Sequence, residues 1–198
     1  MELVVATKNK KKLEEIKDLL KGLNLRILSL ADFPDSPHIE EDGLTFEQNA
    51  LKKATTIAMF TKKLTLGEDS GLEVKELNNA PGIFSSRFSG GKSTDKKNNL
   101  KLLRLLRKTP LSKRSARYRC CVALVDKHKI IYVGCSDCQG KIALKSSGKL
   151  GFGYDPLFIP KGYDKTFGVL NPEIKRKISH RAKALKKLLP VISKYYLK

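Results

Sequence analysis

The chain has 198 residues, 40% apolar and 30% charged, with 40 Lys+Arg against 20 Asp+Glu and a formal charge of +20. That length can bury a real core, in one domain or in two lobes around one cleft, and the composition excludes a disordered or collagenous chain. No apolar run approaches the ~18–20 residues of a membrane span, and four cysteines are too few for a disulfide scaffold.

Glu2–Thr7 is a short β-branched run and reads as a strand. It breaks at Thr7-Lys8-Asn9, after which Leu13, Ile16, Leu19 and Leu20 recur at helical spacing. Asn9 is the expected N-cap and Gly22 the expected stop. Leu25–Leu30 is a second strand, so the chain opens as a βαβ-like unit and predicts an α/β fold. Residues 31–44 are a polar loop. Thr45 caps a predicted helix to about Thr61, with Phe46, Ala50, Ala54, Ile57 and Ala58 on its apolar face. Leu64–Gly67 and Leu72–Leu77 read as two strands split by Glu68-Asp69-Ser70-Gly71. Residues 78–93 read as loop, and a helix begins near Thr94-Asp95 with Leu100, Leu103 and Leu106. Ala116–Val125 and Ile130–Cys138 are strands facing each other across a hairpin turn. Lys141–Leu144 is a further strand candidate, and Gly148–Pro156 is a glycine-rich loop. A basic helix over about His180–Lys194 closes the chain, with Pro190 as a kink or an end. No linker or repeat marks a domain boundary.

The charge is uneven. Residues 31–76 hold ten of the 20 acids in a chain that is otherwise strongly basic. A basic surface attracts polyanions or simply solvates the outside. Carboxylates beside a basic field are a way to hold a divalent cation against phosphates. The acids form two clusters, Glu40-Glu41-Asp42 and Glu68-Asp69. Thr7 to Lys12 lies at the carboxyl end of a strand and the start of a helix. Phosphate groups bind in such turns, although a solvated first turn of lysines looks the same in sequence.

Gly90-Gly91-Lys92-Ser93-Thr94 imitates the tail of a P-loop, but the required earlier glycine is Ser86, which excludes that reading. Cys135-x-x-Cys138 lacks a second pair, so the cysteines are expected to be reduced and to bind no zinc. A two-residue loop at Lys127-His128 would set Cys120 opposite Cys135. Gly151 to Pro156 places Phe152 and Tyr154 among glycines, a setting in which aromatics stack on a base. Ser179-His180-Arg181 opens a helix with three polar donors. The order of charge at the N-terminus is the reverse of a secretory signal, which predicts an intracellular protein. No nucleic-acid-binding motif is present, so no specific nucleic-acid partner and no membrane are expected.

Six blocks occur in order. They are Val4 to Asn9 with Lys12; Glu40 to Gly43 with Thr45, Phe46, Asn49 and Ala50; Glu68 to Leu72; Ala80 to Ile83 with Ser85, Ser86 and Arg87; Gly151 to Pro156; and Ile178 to Arg181. Together they resemble the inosine triphosphate pyrophosphatase family, the non-canonical purine NTP diphosphatases that act on ITP, dITP and XTP. The resemblance implies a single nucleotide pyrophosphatase domain over residues 1–198. It implies an α/β fold with an elongated mixed sheet flanked by helices, two lobes around a central cleft, and a cytoplasmic homodimer. It also implies Mg²⁺-dependent hydrolysis to the monophosphate and pyrophosphate, cleansing the nucleotide pool. Asp69 is then the general base and a metal ligand, with Glu41 as the other metal carboxylate and Glu40 as the alternative. Thr7, Lys8, Asn9, Lys10, Lys11 and Lys12 hold the triphosphate, with Ser70 close by. Phe152, Gly153, Tyr154, Asp155, Lys175, His180 and Arg181 contact the nucleoside. Lys8 and Lys11 stand where the family commonly has Gly, which puts the φ freedom of that loop in question, and Glu68 replaces a frequent Asp.

Overall fold

The computed structural model describes residues 2–196. Six strands pair in the order β2-β1-β3-β4-β5-β6: β1 Glu2–Val5, β2 Arg26–Ser29, β3 Thr65–Val74, β4 Ser115–Asp126, β5 Lys129–Ile142 and β6 Phe158–Pro160. β1 is parallel to β2 and β3, while β5 and β6 are antiparallel, so the sheet is mixed. Among the described residues five α-helices accompany it: α1 Lys10–Leu19, α2 Phe46–Thr61, α3 Asp95–Leu105, α4 Pro172–Ile178 and α5 His180–Tyr196. The mixed sheet with flanking helices is the architecture expected.

The chain divides into two compact units. The first comprises residues 1–69, 120–136 and 181–198, and the second residues 70–119 and 137–180. In the first unit, β1 alternates. Leu3 and Val5 join Ile16, Leu20, Leu66, Val122, Leu185 and Leu188 on one face. Val4 and Ala6 join Leu28, Leu30 and Ile57 on the other. Burial on both faces is why β1 reads as an unbroken apolar run. In the second unit Leu72, Val74, Leu102, Leu106, Tyr118, Ile142 and Phe158 form the core.

Local capping explains the helix starts. Asn9, Thr45 and Thr94 each accept a backbone N–H from the first turn of α1, α2 and α3. Four expectations change. β3 is one ten-residue strand that runs straight through Glu68 to Gly71 instead of breaking there. α3 buries Asn98 and Leu102, while Leu100 is exposed. α4 and β6 were not anticipated from the sequence. α5 continues through Pro190.

Candidate active site

β1 ends at Val5, and the chain turns through Ala6–Asn9 into α1. The turn ties itself down. Asn9 N donates to Thr7 Oγ1 at 3.2 Å, and Lys12 N donates to Asn9 Oδ1 at 3.1 Å. Lys8, Lys10 and Lys11 are exposed. Neither Lys8 nor Lys11 belongs to the non-glycine residues with positive φ, so lysine at these positions brings no backbone strain. Lys12 turns inward, and its Nζ lies 3.0 Å from Glu68 Oε2.

β3 presents Glu68 and Asp69 to opposite faces because strand side chains alternate. Asp69 meets α2, where Lys53 Nζ stands 2.9 Å from Asp69 Oδ1 and 2.6 Å from Glu41 Oε1. Lys53 also donates to the Glu68 carbonyl at 3.2 Å. Asn49 Nδ2 donates to Asp69 Oδ2 at 3.3 Å, while Asn49 Oδ1 accepts the Gly43 N–H at 2.8 Å. Asn49 and Lys53 are one turn apart and share a face of α2. They reach Asp69 because α2 lies directly on β3: a Cβ at Gly67 would sit 2.1 Å from the Ala50 carbonyl oxygen. Of the two candidate carboxylates, Glu41 reaches Lys53, and Glu40 is exposed. Burial pushes the Asp69 carboxyl above its usual range, against the opposing pull of Lys53 and Lys12. Burial also opposes the Lys53 ammonium, but Asp69 and Glu41 more than offset it and raise its pKa.

On the other face, Glu68 is fully buried and holds a cluster of its own. Arg181 Nη2 donates to Glu68 Oε1 at 3.0 Å, and Arg181 Nη1 pairs with Glu15. The Arg181 side chain is 2% exposed. Arg181 was expected at the purine base. In the structure its guanidinium is a buried cation between two carboxylates of the first unit. Lys12 and Arg181 give Glu68 the two cations that let an anion stay buried. Cys120 Sγ is 3.4 Å from Glu68 Oε1, and burial, with Glu68 beside it, pushes the thiol well up.

The cysteines depart from expectation. Cys121 and Cys135 form a disulfide, with Cα atoms 4.1 Å apart on β4 and β5, while Cys120 and Cys138 are buried thiols. The expected neighbour of Cys135 was Cys120. Alternation along β4 sends that side chain toward Glu68, and Cys121, on the opposite face, meets Cys135.

The second unit holds the glycine–aromatic loop. Asp155, 1% exposed, accepts from Phe152 N at 2.9 Å and from Lys175 Nζ at 2.6 Å, both at Oδ2. Tyr118 Oη donates to Asp155 Oδ1 at 3.3 Å. Lys175, on α4, lies 4.5 Å over the half-buried Phe152 ring. Tyr154 is buried, and its hydroxyl donates to the Ser85 carbonyl, so Phe152 is the more accessible of the two expected stacking rings. His180 stacks on Tyr118 with centroids 4.6 Å apart and is also buried. Ser70 is half-buried on β3.

Lys53 and the roles of Asn49, Glu68 and Glu15 were missed from sequence. The available signal was two polar residues, Asn49 and Lys53, one turn apart among the alanines of an otherwise apolar helix face.

The sequence profile of the Ham1 family matches residues 3–191. The chain belongs to the Ham1 family. It is 45% identical over 197 residues to a dITP/XTP pyrophosphatase of Desulforamulus reducens, covering 100% of this chain and 98% of that protein. It is 46% identical over 183 residues to a dITP/XTP pyrophosphatase of Geobacter sulfurreducens, covering 92% of each. The structure of a HAM1 protein from Coxiella burnetii superimposes with a TM-score of 0.88 at 38% identity, covering 98% of this chain and 99% of that one. The mixed sheet and flanking helices described above are therefore the Ham1 architecture.

Proposed function

We propose that this Ham1 protein hydrolyses non-canonical purine nucleoside triphosphates (ITP, dITP and XTP) to the monophosphate and pyrophosphate, with Mg²⁺ as cofactor. The observation that carries the reading is Asp69: a buried carboxylate with a raised pKa, oriented by Asn49 and Lys53, and near the lysine-lined turn through Lys12. A raised carboxylate pKa brings a general base nearer to working pH. In this reading ionised Asp69 orients a water and takes its proton as the oxygen attacks the α-phosphorus. The bond to pyrophosphate then breaks, and the pyrophosphate leaves. Asn49 fixes the carboxylate's orientation, and Lys53 keeps it charged until the proton arrives. Thr7, Asn9 and Lys12, with Lys8, Lys10, Lys11 and Ser70, bind the triphosphate.

The carboxylates suit a hard divalent cation. Glu41 and Asp69 both lie within 2.9 Å of the same ammonium, so a single cation is within reach of both. Mg²⁺ held by these two residues would neutralise charge developing on the pyrophosphate. Phe152 stacks on the purine and Lys175 supplies a donor, with Gly153, Tyr154, Asp155 and His180 shaping that contact. The 6-oxo group of hypoxanthine or xanthine accepts a hydrogen bond, whereas the adenine amino group leaves the site's donor unpaired. The reading extends to a cytoplasmic homodimer that removes deaminated purines from the nucleotide pool; no helix among the described residues is long and apolar enough to cross a membrane.

The test is pyrophosphate release from ITP, dITP, XTP, GTP and ATP, with Mg²⁺ and with EDTA. Turnover of the first three, lost in EDTA, is expected. Equal turnover of ATP, or full activity in EDTA, would overturn the substrate or the metal assignment.

A further inference from the structure

The backbone of Gly153 is held from both sides by one helix. Its N–H donates to Asp95 Oδ2 at 2.8 Å, and its carbonyl accepts from Asn99 Nδ2 at 3.0 Å. Asp95 and Asn99 are four residues apart, so they share a face of α3. Gly153 has φ +62, and a Cβ there would meet nothing within 4 Å. Glycine therefore serves the backbone conformation and not a shortage of room. Gly151, two residues earlier, also has positive φ. A loop with two such glycines is conformationally permissive; its other ties include Phe152 N, Lys175 and Tyr118 to Asp155, and Tyr154 to the Ser85 carbonyl.

We infer that Asp95 and Asn99 are positioning residues that hold the Phe152–Asp155 loop in the conformation that receives the nucleoside. The inference rests on the reading of that loop as the nucleoside contact. Neither residue touches substrate in it. Asp95 and Asn99 fix the peptide next to Phe152, and Lys175 lies over the Phe152 ring. Helix α3 is itself well anchored. Thr94 caps it, and Asn98 accepts from Ser89 N and donates to the carbonyls of Ser85 and Ser86. An acid in the first turn also favours the helix dipole. That accounts for a negative charge at position 95 but not for the bond to Gly153. Asp95→Asn separates the two, since it removes the charge and keeps the acceptor oxygen.

The experiment compares wild type, Asp95→Ala, Asn99→Ala and Asp95→Asn. It measures KM and kcat for ITP, the inhibition constant of inorganic tripolyphosphate, and amide hydrogen exchange of the peptide containing Gly153. Each alanine variant is expected to raise KM for ITP about 3- to 10-fold, the worth of one hydrogen bond, with the change in KM and not in kcat. Tripolyphosphate inhibition should hold, since that probe lacks a nucleoside. Exchange at the Gly153 peptide should speed up. Asp95→Asn should restore KM and exchange. An unchanged KM in both alanine variants, with wild type active, would overturn the inference alone. A parallel rise in KM and in the tripolyphosphate constant would reduce the pair to general structural support and overturn it too. A wild type inert toward every nucleotide would instead fail the underlying assignment, and the exchange data would show whether the clamp on Gly153 exists regardless.

Discussion

Asp69 and Arg181 are both buried ions, and their surroundings give them different work. Asp69 pairs with a cation that it shares with Glu41 and accepts from the Asn49 amide, and burial raises its pKa. Asp69→Asn keeps the shape and removes the base and one charged metal oxygen. Turnover of ITP is expected to fall by about 10²–10⁴-fold, with a melting temperature close to wild type; wild-type-like turnover would remove Asp69 from the mechanism. Arg181 pairs with Glu15 and Glu68. Arg181→Ala leaves Glu68 with one cation fewer in a fully buried site, and breaking such a pair costs about 3–5 kcal/mol. The expected outcome is a lower melting temperature and a kcat/KM that falls by the same factor for ITP and ATP. A narrowed ITP-to-ATP ratio at unchanged stability would return Arg181 to the base.

Helix α2 delivers Asn49 and Lys53 to β3 because Gly67 lets the two backbones meet. Gly67→Ala puts a methyl 2.1 Å from the Ala50 carbonyl oxygen, and backbone has to move. Overpacking of this kind costs about 1–3 kcal/mol. Thermal melts should show the loss, and ITP turnover should fall with it because the helix carries the partners of Asp69. Full stability and activity would show that α2 shifts freely. A second local device lies after β2, where Ser29 N and Oγ donate to Asp32 Oδ2 at 2.7 and 2.9 Å. The Ser29 backbone N–H, then its hydroxyl, hold the Asp32 carboxyl below its usual range. A depressed folded-state pKa gives stability above the unfolded value of about 3.9, and that stability is lost as pH falls through the folded pKa. Asp32→Asn should therefore melt below wild type at neutral pH, and the gap should close in acid. A gap independent of pH would assign the effect to shape.

The whole molecule carries +20, and its acids concentrate in residues 31–76. A triphosphate is strongly anionic, so the summed field should draw it in. Raising KCl from about 0.05 M to about 0.5 M is expected to lower kcat/KM for ITP by about 10-fold, through screening of that long-range attraction, and to change kcat far less. Equal losses in kcat and kcat/KM would place the salt effect on chemistry or stability. An insensitive kcat/KM would mean that the lysines only solvate the surface.

Much of this protein was legible locally. Asn9, Thr45 and Thr94 mark their helices because a cap and the N–H it binds lie within three residues of each other. The β1-α1-β2 opening follows from periodicity in 30 residues. The blocks around Thr7–Lys12, Glu41, Asp69 and Phe152–Asp155 pointed to a nucleotide chemistry in linear order. What the residues could not announce was which charges would meet. Glu68-Asp69-Ser70-Gly71 looks like a turn, since adjacent carboxylates and glycine are costly in a buried strand. It is a strand because Lys12 and Arg181 cover Glu68 on one face and Lys53 covers Asp69 on the other. Arg181 is 113 residues from Glu68 in the chain. Its donors suit a base as well as a carboxylate, and the path of the chain brings it to this carboxylate. Capping and periodicity are interactions between near neighbours and survive in the sequence; the pairing of buried charges depends on strand alternation and on which helix covers which face, and exists only once the chain is folded.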